Sequence, residues 1–248
     1  LSEIVTGFPI AVIDGTLCTQ LRTAAVGCVA AKYLAPKKVE TVGFIGAGEE
    51  ARMHFTLLKH LFPSIRTCKV ASRHSATEDR FIAEFDKIIP DVHFIACRGD
   101  NSQAVADTDI IVTAISGQAP VLKARDVRAG MLYIHVGGWE DEYGVALKAD
   151  KIVCDDWNAS KHRTQTICRM YKEGLLKDKD IYADLAEIIA GQKKGRESDE
   201  EFIYFNSVGL SYIDLNFAHE IYREASLLGL GRDIVLAESD RVDYRCFI

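Results

Sequence analysis

Gly46-Ala47-Gly48-Glu49-Glu50-Ala51 follows an apolar run and opens the amphipathic stretch EARMHFTLLKHL. In such a G-x-G-x-x-A turn the first glycine allows a tight reversal. The second lets a pyrophosphate approach the backbone, and Ala51 lets the helix pack close to the strand. Free N–H groups at the helix start then meet the phosphates. The pattern therefore predicts dinucleotide binding, with a plain tight turn as the alternative. A second apolar strand, TCKVAS, ends in Ser72-Arg73-His74. A carboxylate at that point would accept the hydrogen of a ribose 2′-OH, whereas Arg73 can pair with a 2′-phosphate, helped by Ser72 and His74. NADP(H) is therefore favoured and NAD(H) is the alternative, in which Arg73 only faces solvent.

Two later turns fall where an open α/β sheet binds its ligands, at the carboxyl ends of strands. VTAISGQAP (112–120) brings Thr113, Ala114 and Ile115. HVGGWEDEYG (135–144) brings Val136 and Gly137, with Gly138 beside it. These residues are expected against the ribose and nicotinamide.

The elements that must hold these turns alternate. Strands are predicted at 41–46, 67–72, 92–97, 109–114, 131–136 and 151–154, and helices at 49–61, 76–88, 101–106 and 123–128. That rhythm predicts a doubly wound parallel sheet, and strands as apolar as TVGFIG and DIIVTAI should be covered on both faces. Ahead of it, residues 4–13 alternate weakly, as in a hairpin, and Asp14-Gly15 reads as a turn. Thr16 or Thr19 then opens a helix rich in small residues that Pro36 ends. Near the carboxyl end, FIYFNSVGLSYIDLNFAHEIYREASLLGLG reads as a strand leading into a long helix stopped by Gly229 and Gly231. That helix is expected to pack with the first one, outside the sheet.

The 248 residues suffice for one large domain or two modest ones, with 48% hydrophobic and 27% charged residues. A net charge of -6 excludes the basic footprint that holds a nucleic-acid backbone. No apolar run is long enough to span a membrane, and no signal peptide or metal-binding spacing is visible. Seven scattered cysteines, several in apolar runs and none spaced C-x-x-C, read as free thiols of a reducing compartment, so a cytoplasmic location is expected. The chain opens at Leu1 in what reads as the middle of a hairpin, so a further segment is expected upstream.

The order of these segments resembles the ornithine cyclodeaminase/mu-crystallin family. LRTAAVGCVAAKYLA ahead of VGFIGAGEEA is similar to that family's Arg-Thr-Ala-Ala helix before its glycine turn. DIIVTAISGQAPVL, HVGG, ADKIVCDD and the DLAEII…SLLGLG stretch match its later landmarks in order. The resemblance implies a Rossmann-type sheet domain (37–201) inserted in a second α+β substrate and dimerisation domain (1–36 plus 202–248), and a homodimer. It implies that Arg22 clamps a small substrate carboxylate beside the nicotinamide. An Arg in an Ala-rich helix facing a cleft suits a bidentate carboxylate pair, with a surface Arg as the alternative. It also places Ser207 and Val208 against the nicotinamide and substrate; Ser207 could equally cap the last helix.

Two departures from the family pattern stand out. Cyclodeaminases carry a proton-shuttling acid directly after the Val-Gly-Gly, and here Trp139 stands there. Glu140 or Asp141 could serve instead as the acid/base, unless Glu140-Asp141-Glu142 is a solvated turn. The family's catalytic Lys and a further Arg lie upstream of the Arg-Thr-Ala-Ala helix, where this chain has little sequence. The leading expectation is an NAD(P)H-dependent oxidoreductase acting on the C=N or CH–NH bond of a small imino or amino acid. The alternatives are a cyclodeaminase-type lyase using bound NAD, and a non-catalytic NADPH-dependent binding protein of the mu-crystallin type.

Overall fold

The structure is a computed structural model that describes residues 1–235; Cys246 and the end of the expected second domain, 236–248, lie outside the described residues. The elements run α1 (Gly15–Leu34), β1 (Thr41–Ile45), α2 (Glu49–Leu61), β2 (Thr67–Ala71), α3 (Ser75–Phe85), β3 (His93–Ala96), α4 (Asn101–Val105), β4 (Ile110–Thr113) and β5 (Leu132–His135). They continue with α5 (Tyr143–Leu147), β6 (Lys151–Cys154), α6 (Trp157–Ser160), α7 (Thr166–Lys172), β7 (Ala183–Asp184), α8 (Leu185–Ile189), β8 (Ile203–Asn206) and α9 (Ser211–Leu227). The strands form one parallel sheet ordered β3-β2-β1-β4-β5-β8-β6-β7. The order reverses between β1 and β4, and that switch point is where a doubly wound sheet opens a crevice for a ligand.

Apolar strands made this sheet predictable. β4, β5, β6 and β8 are buried along their whole length, which parallel strands covered on both faces require. On one face Phe44, Phe55, Phe81, Phe85 and Phe94 form an aromatic cluster, with Phe55 and Phe85 edge to face at 4.8 Å. It fixes α2 and α3 against β1–β3 and so fixes the start of α2 over the switch point. On the other face α4 comes so close to β1 that a Cβ on Gly43 would collide with the Ala104 carbonyl.

Four expectations need correction. The boundary drawn at 202 fails, because β8 lies inside the sheet between β5 and β6. A strand that pairs on both sides cannot belong to a separate unit. Residues 123–128 form a turn, with Asp126 N–H donating to the Lys123 carbonyl, and no helix. Its start is tied to the 140–142 segment instead: Leu122 bridges to Asp141, and the Ala124 N–H donates to the Glu142 carboxylate at 2.9 Å. The helix start expected at Thr16 or Thr19 is capped by Asp14, whose side chain accepts from Thr16 N at 2.9 Å. The expected hairpin at 4–13 is reduced to a single antiparallel bridge, Ser2 to Pro9.

The first helix packs on α2 as well as on α9. A Cβ on Gly27 would lie 2.8 Å from His54 Nε2, and α1 is tied to α9 through an Arg22–Asp214 ion pair of 2.7 Å. Among the described residues no helix is long and apolar enough to cross a membrane.

Candidate active site

Five turns meet at the carboxyl edge of the sheet. The glycine turn leaves β1 with Gly46 at φ +106, and its N–H donates to the Ala71 carbonyl at 2.8 Å. Any side chain there would collide with the Ala114 carbonyl, so the turn needs glycine both for its conformation and for the close approach of the next loop. Gly48 caps α2, and a Cβ there would meet nothing within 4 Å. This open space beside the first N–H groups of a helix fits a pyrophosphate. The two acids in that first turn do not spoil the fit. Glu49 pairs with Arg52 at 3.0 Å, and Arg52 also holds Glu84. Burial pushes the Glu50 carboxyl up to about 7, against a pull from Arg22.

After β2, Arg73 and His74 are exposed and touch each other, Nε to Nε2 at 3.2 Å. The acid nearest in this stretch, Glu78, is fully buried and turned inward. It accepts from the N–H groups of Ser72 (2.7 Å), Arg98 (2.8 Å) and Gly99 (2.9 Å). The turn therefore presents a cation and an imidazole outward and keeps its carboxylate for the backbone.

Between β4 and β5 the sequence reading needs its largest correction. Glu140 and Asp141 are both fully buried, neither a solvated turn nor side chains open to a ligand. Glu140 accepts from Ile115 N at 2.6 Å, from Gly137 N at 2.8 Å and from the Thr113 hydroxyl at 2.7 Å. Its carboxylate staples together the two loops expected to cradle the nicotinamide ribose. Asp141 accepts from the hydroxyls of Thr166 (2.7 Å), Tyr204 (3.1 Å) and Tyr133 (3.3 Å), with His135 Nε2 at 3.6 Å. Burial pushes its carboxyl up to about 6, partly offset by His135. Geometry thus gives both acids a positioning role: Glu140 spends both oxygens inside the protein, and Asp141, whose Oδ2 has no partner, is fully buried. Trp139 lies under the Arg169 guanidinium, 4.7 Å from its ring centre.

The fifth turn follows β8. Val208 and Gly209 donate their N–H groups to Asp155 Oδ2 at 2.7 and 2.8 Å. Ser207 is buried and its N–H donates to the His135 carbonyl; Leu210, not Ser207, is the cap of α9. Gly209 lies against Arg22, and a Cβ there would sit 2.6 Å from Nη1. Arg22 donates from Nε to Asp214 in the first turn of α9 and is mostly buried. The structure therefore gathers Arg22, the glycine turn, the 113–115 loop, Val136-Gly137 and Ser207-Val208 along one edge. Glu78, Asp155 and Asp214 were missed by sequence reasoning. For Asp155 a signal existed: an Asp-Asp pair directly after an apolar strand, at the ligand end of the sheet.

A parallel sheet with a glycine turn at its switch point, faced by a mostly buried arginine, is the architecture of a dinucleotide-binding protein. The chain belongs to the ornithine cyclodeaminase/mu-crystallin family, whose profile matches residues 1–227. It is 34% identical to an alanine dehydrogenase of Archaeoglobus fulgidus, covering 92% of this chain and 70% of that one. Among solved structures it is similar to the Δ1-pyrroline-2-carboxylate reductase of Thermococcus litoralis in complex with NADH and L-proline. That match has 30% identity and a TM-score of 0.87, over 94% of this chain and 72% of that one. It is also similar to an archaeal alanine dehydrogenase dimer with bound NAD, at 31% identity and a TM-score of 0.86, over 95% and 73% of the two chains.

The Asp141 carboxyl has a folded pKa raised above the ordinary 3.8, so its contribution favours the fold at low pH and is lost as pH rises through about 6. Between pH 5 and pH 8 the wild type should lose roughly 1 kcal/mol more stability than Asp141→Asn, read by urea denaturation at each pH. Parallel curves for the two proteins would show that Asp141 carries no such strain.

Proposed function

We propose that the chain reduces the C=N bond of a small α-imino acid with NADPH, or in reverse oxidises the matching α-amino acid. The observation that carries this reading is the placing of Arg22. Asp214 holds its Nε, and Gly209 has no side chain to crowd Nη1 and Nη2, so the guanidinium can offer two parallel N–H groups to a carboxylate beside the glycine turn. When bound there, a dihydronicotinamide dinucleotide would supply the hydride for the imine carbon. The chain's own residues bind and orient. Gly46, Ala47 and Gly48 with the N–H groups of Glu49 and Glu50 take the pyrophosphate. Thr113, Ala114, Ile115, Val136 and Gly137, braced by Glu140, form the floor for the ribose and nicotinamide. Val208 and Ser207 close the pocket over the substrate.

The names of the relatives support the substrate class, since they act on alanine or on a cyclic imino acid. The preference for NADPH over NADH rests on Ser72, Arg73 and His74 with Glu78 turned away; NADH remains the alternative donor. A second copy of this chain is the partner we assign, because Ile4, Val5, Val12, Leu215 and Leu227 stand exposed and a similar alanine dehydrogenase is a dimer. Among the described residues six cysteines are free, five of them buried, which fits a reducing cytoplasm.

Arg22→Lys should raise the KM for Δ1-pyrroline-2-carboxylate by roughly 100-fold, with a smaller fall in kcat, because one buried, doubly bonded charge is replaced by a point donor. An unchanged KM would remove Arg22 from the substrate site. Arg73→Ala should weaken NADPH binding, followed by fluorescence, by about 10-fold and leave NADH binding as it was. Equal effects on both would assign the adenosine end to NAD(H).

A further inference from the structure

Reduction of an imine consumes a proton as well as a hydride, and the two acids expected to supply it are sealed inside the fold. Glu50 is differently placed. It stands in the first turn of α2, two residues beyond Gly48, at the switch point of the sheet. It is half-buried, and its Oε2 is shielded from solvent with no hydrogen-bond partner. Its main chain is pinned, since the Glu50 carbonyl meets His54 Nδ1 at 2.8 Å. A buried carboxyl oxygen without a partner at a ligand site is costly unless something there uses it.

Its surroundings suit a proton donor. Arg22, on the helix α1 that packs on α2, acts on it electrostatically. Asp214 on α9 is engaged with Arg22, and Glu49 with Arg52. His54 is fully buried and its pKa is pushed down to about 4, so it adds no charge near neutrality. Burial keeps the Glu50 carboxyl protonated up to about 7, close to where a general acid works best.

Resting on the reductase reading above, we propose that Glu50 is the catalytic acid that protonates the substrate nitrogen. The O–H bond of the Glu50 carboxyl breaks and an N–H bond forms on the imine, while the dihydronicotinamide supplies the two electrons and the hydrogen that reach carbon. The product is the amine and the oxidised dinucleotide, and Glu50, left as a carboxylate, recovers its proton from solvent. In the oxidative direction the same carboxylate removes the proton from nitrogen.

The test compares the wild type with Glu50→Gln in reducing Δ1-pyrroline-2-carboxylate, across pH. Wild-type kcat should fall as pH rises above about 7. The variant should lose roughly 100-fold or more in kcat and lose that limb of the profile. Its NADPH binding should stay within about threefold of wild type, since no ligand contact of the glycine turn is removed. Infrared difference spectra taken below and above pH 7 should show a protonated-carboxyl band in the wild type that is missing from Glu50→Gln, a readout independent of turnover. A variant that keeps wild-type kcat and its pH limb, or a wild type without that band, overturns the role of Glu50 alone. A wild type that reduces no imino acid overturns the reductase reading and this role with it.

Discussion

The ligand edge of this protein is held in shape by buried carboxylates whose oxygens are filled with backbone N–H groups. Glu78 gathers three such groups from the turns after β2 and β3. Glu140 joins the turn after β4 to the turn after β5. Asp155 ties the turn after β8 to the end of β6. Burying a carboxylate is expensive, and an acceptor with two or three charge-assisted hydrogen bonds is among the few arrangements that offset the cost. Each staple also leaves the loop's outer face free for a ligand. The loops are thus fixed from within, which is how a binding edge made of turns can be preorganised.

The staples set the electrostatics of the cleft. With Glu78 and Glu140 turned inward and the exposed Glu49 paired with Arg52, Arg73 and His74 stand exposed at one end and the mostly buried Arg22 lies at the other. A dinucleotide with an anionic substrate at its nicotinamide end is complementary to cations placed this way. Asp214 holds Arg22 at one nitrogen and leaves the rest of its fork available, and the absence of a side chain on Gly209 makes room for it. Glu50 and Asp141 each keep one oxygen without an internal partner, and of the two only Glu50 is half-buried, Asp141 being fully enclosed.

Much of this was legible in the sequence, for identifiable reasons. Strands buried on both faces write themselves as apolar runs, so six of the strands were placed to within a residue or two. The glycine turn was legible because a positive φ beside a crowding carbonyl admits only glycine. Three acids in a row, by contrast, look the same whether they are solvated or stapling a backbone; two of the three partners of Glu140 lie in a loop some 25 residues away, and nothing local announces those two. The strand at 203–206 was assigned to the wrong unit because its neighbours in the sheet, β5 and β6, are distant in sequence. Glu50 was read as part of a phosphate loop, and its second property, an unpaired buried oxygen beside Arg22, exists only once α1 is packed on α2.

The central claim is that a hydride passes to the carbon of an imino acid seated between the glycine turn and Arg22. The most direct measurement uses NADPH carrying deuterium at its transferable position, with Δ1-pyrroline-2-carboxylate and the purified chain, and locates the label by mass spectrometry. The account predicts one deuterium at the α-carbon of the proline formed. Proline without deuterium, or no proline at all, would contradict it.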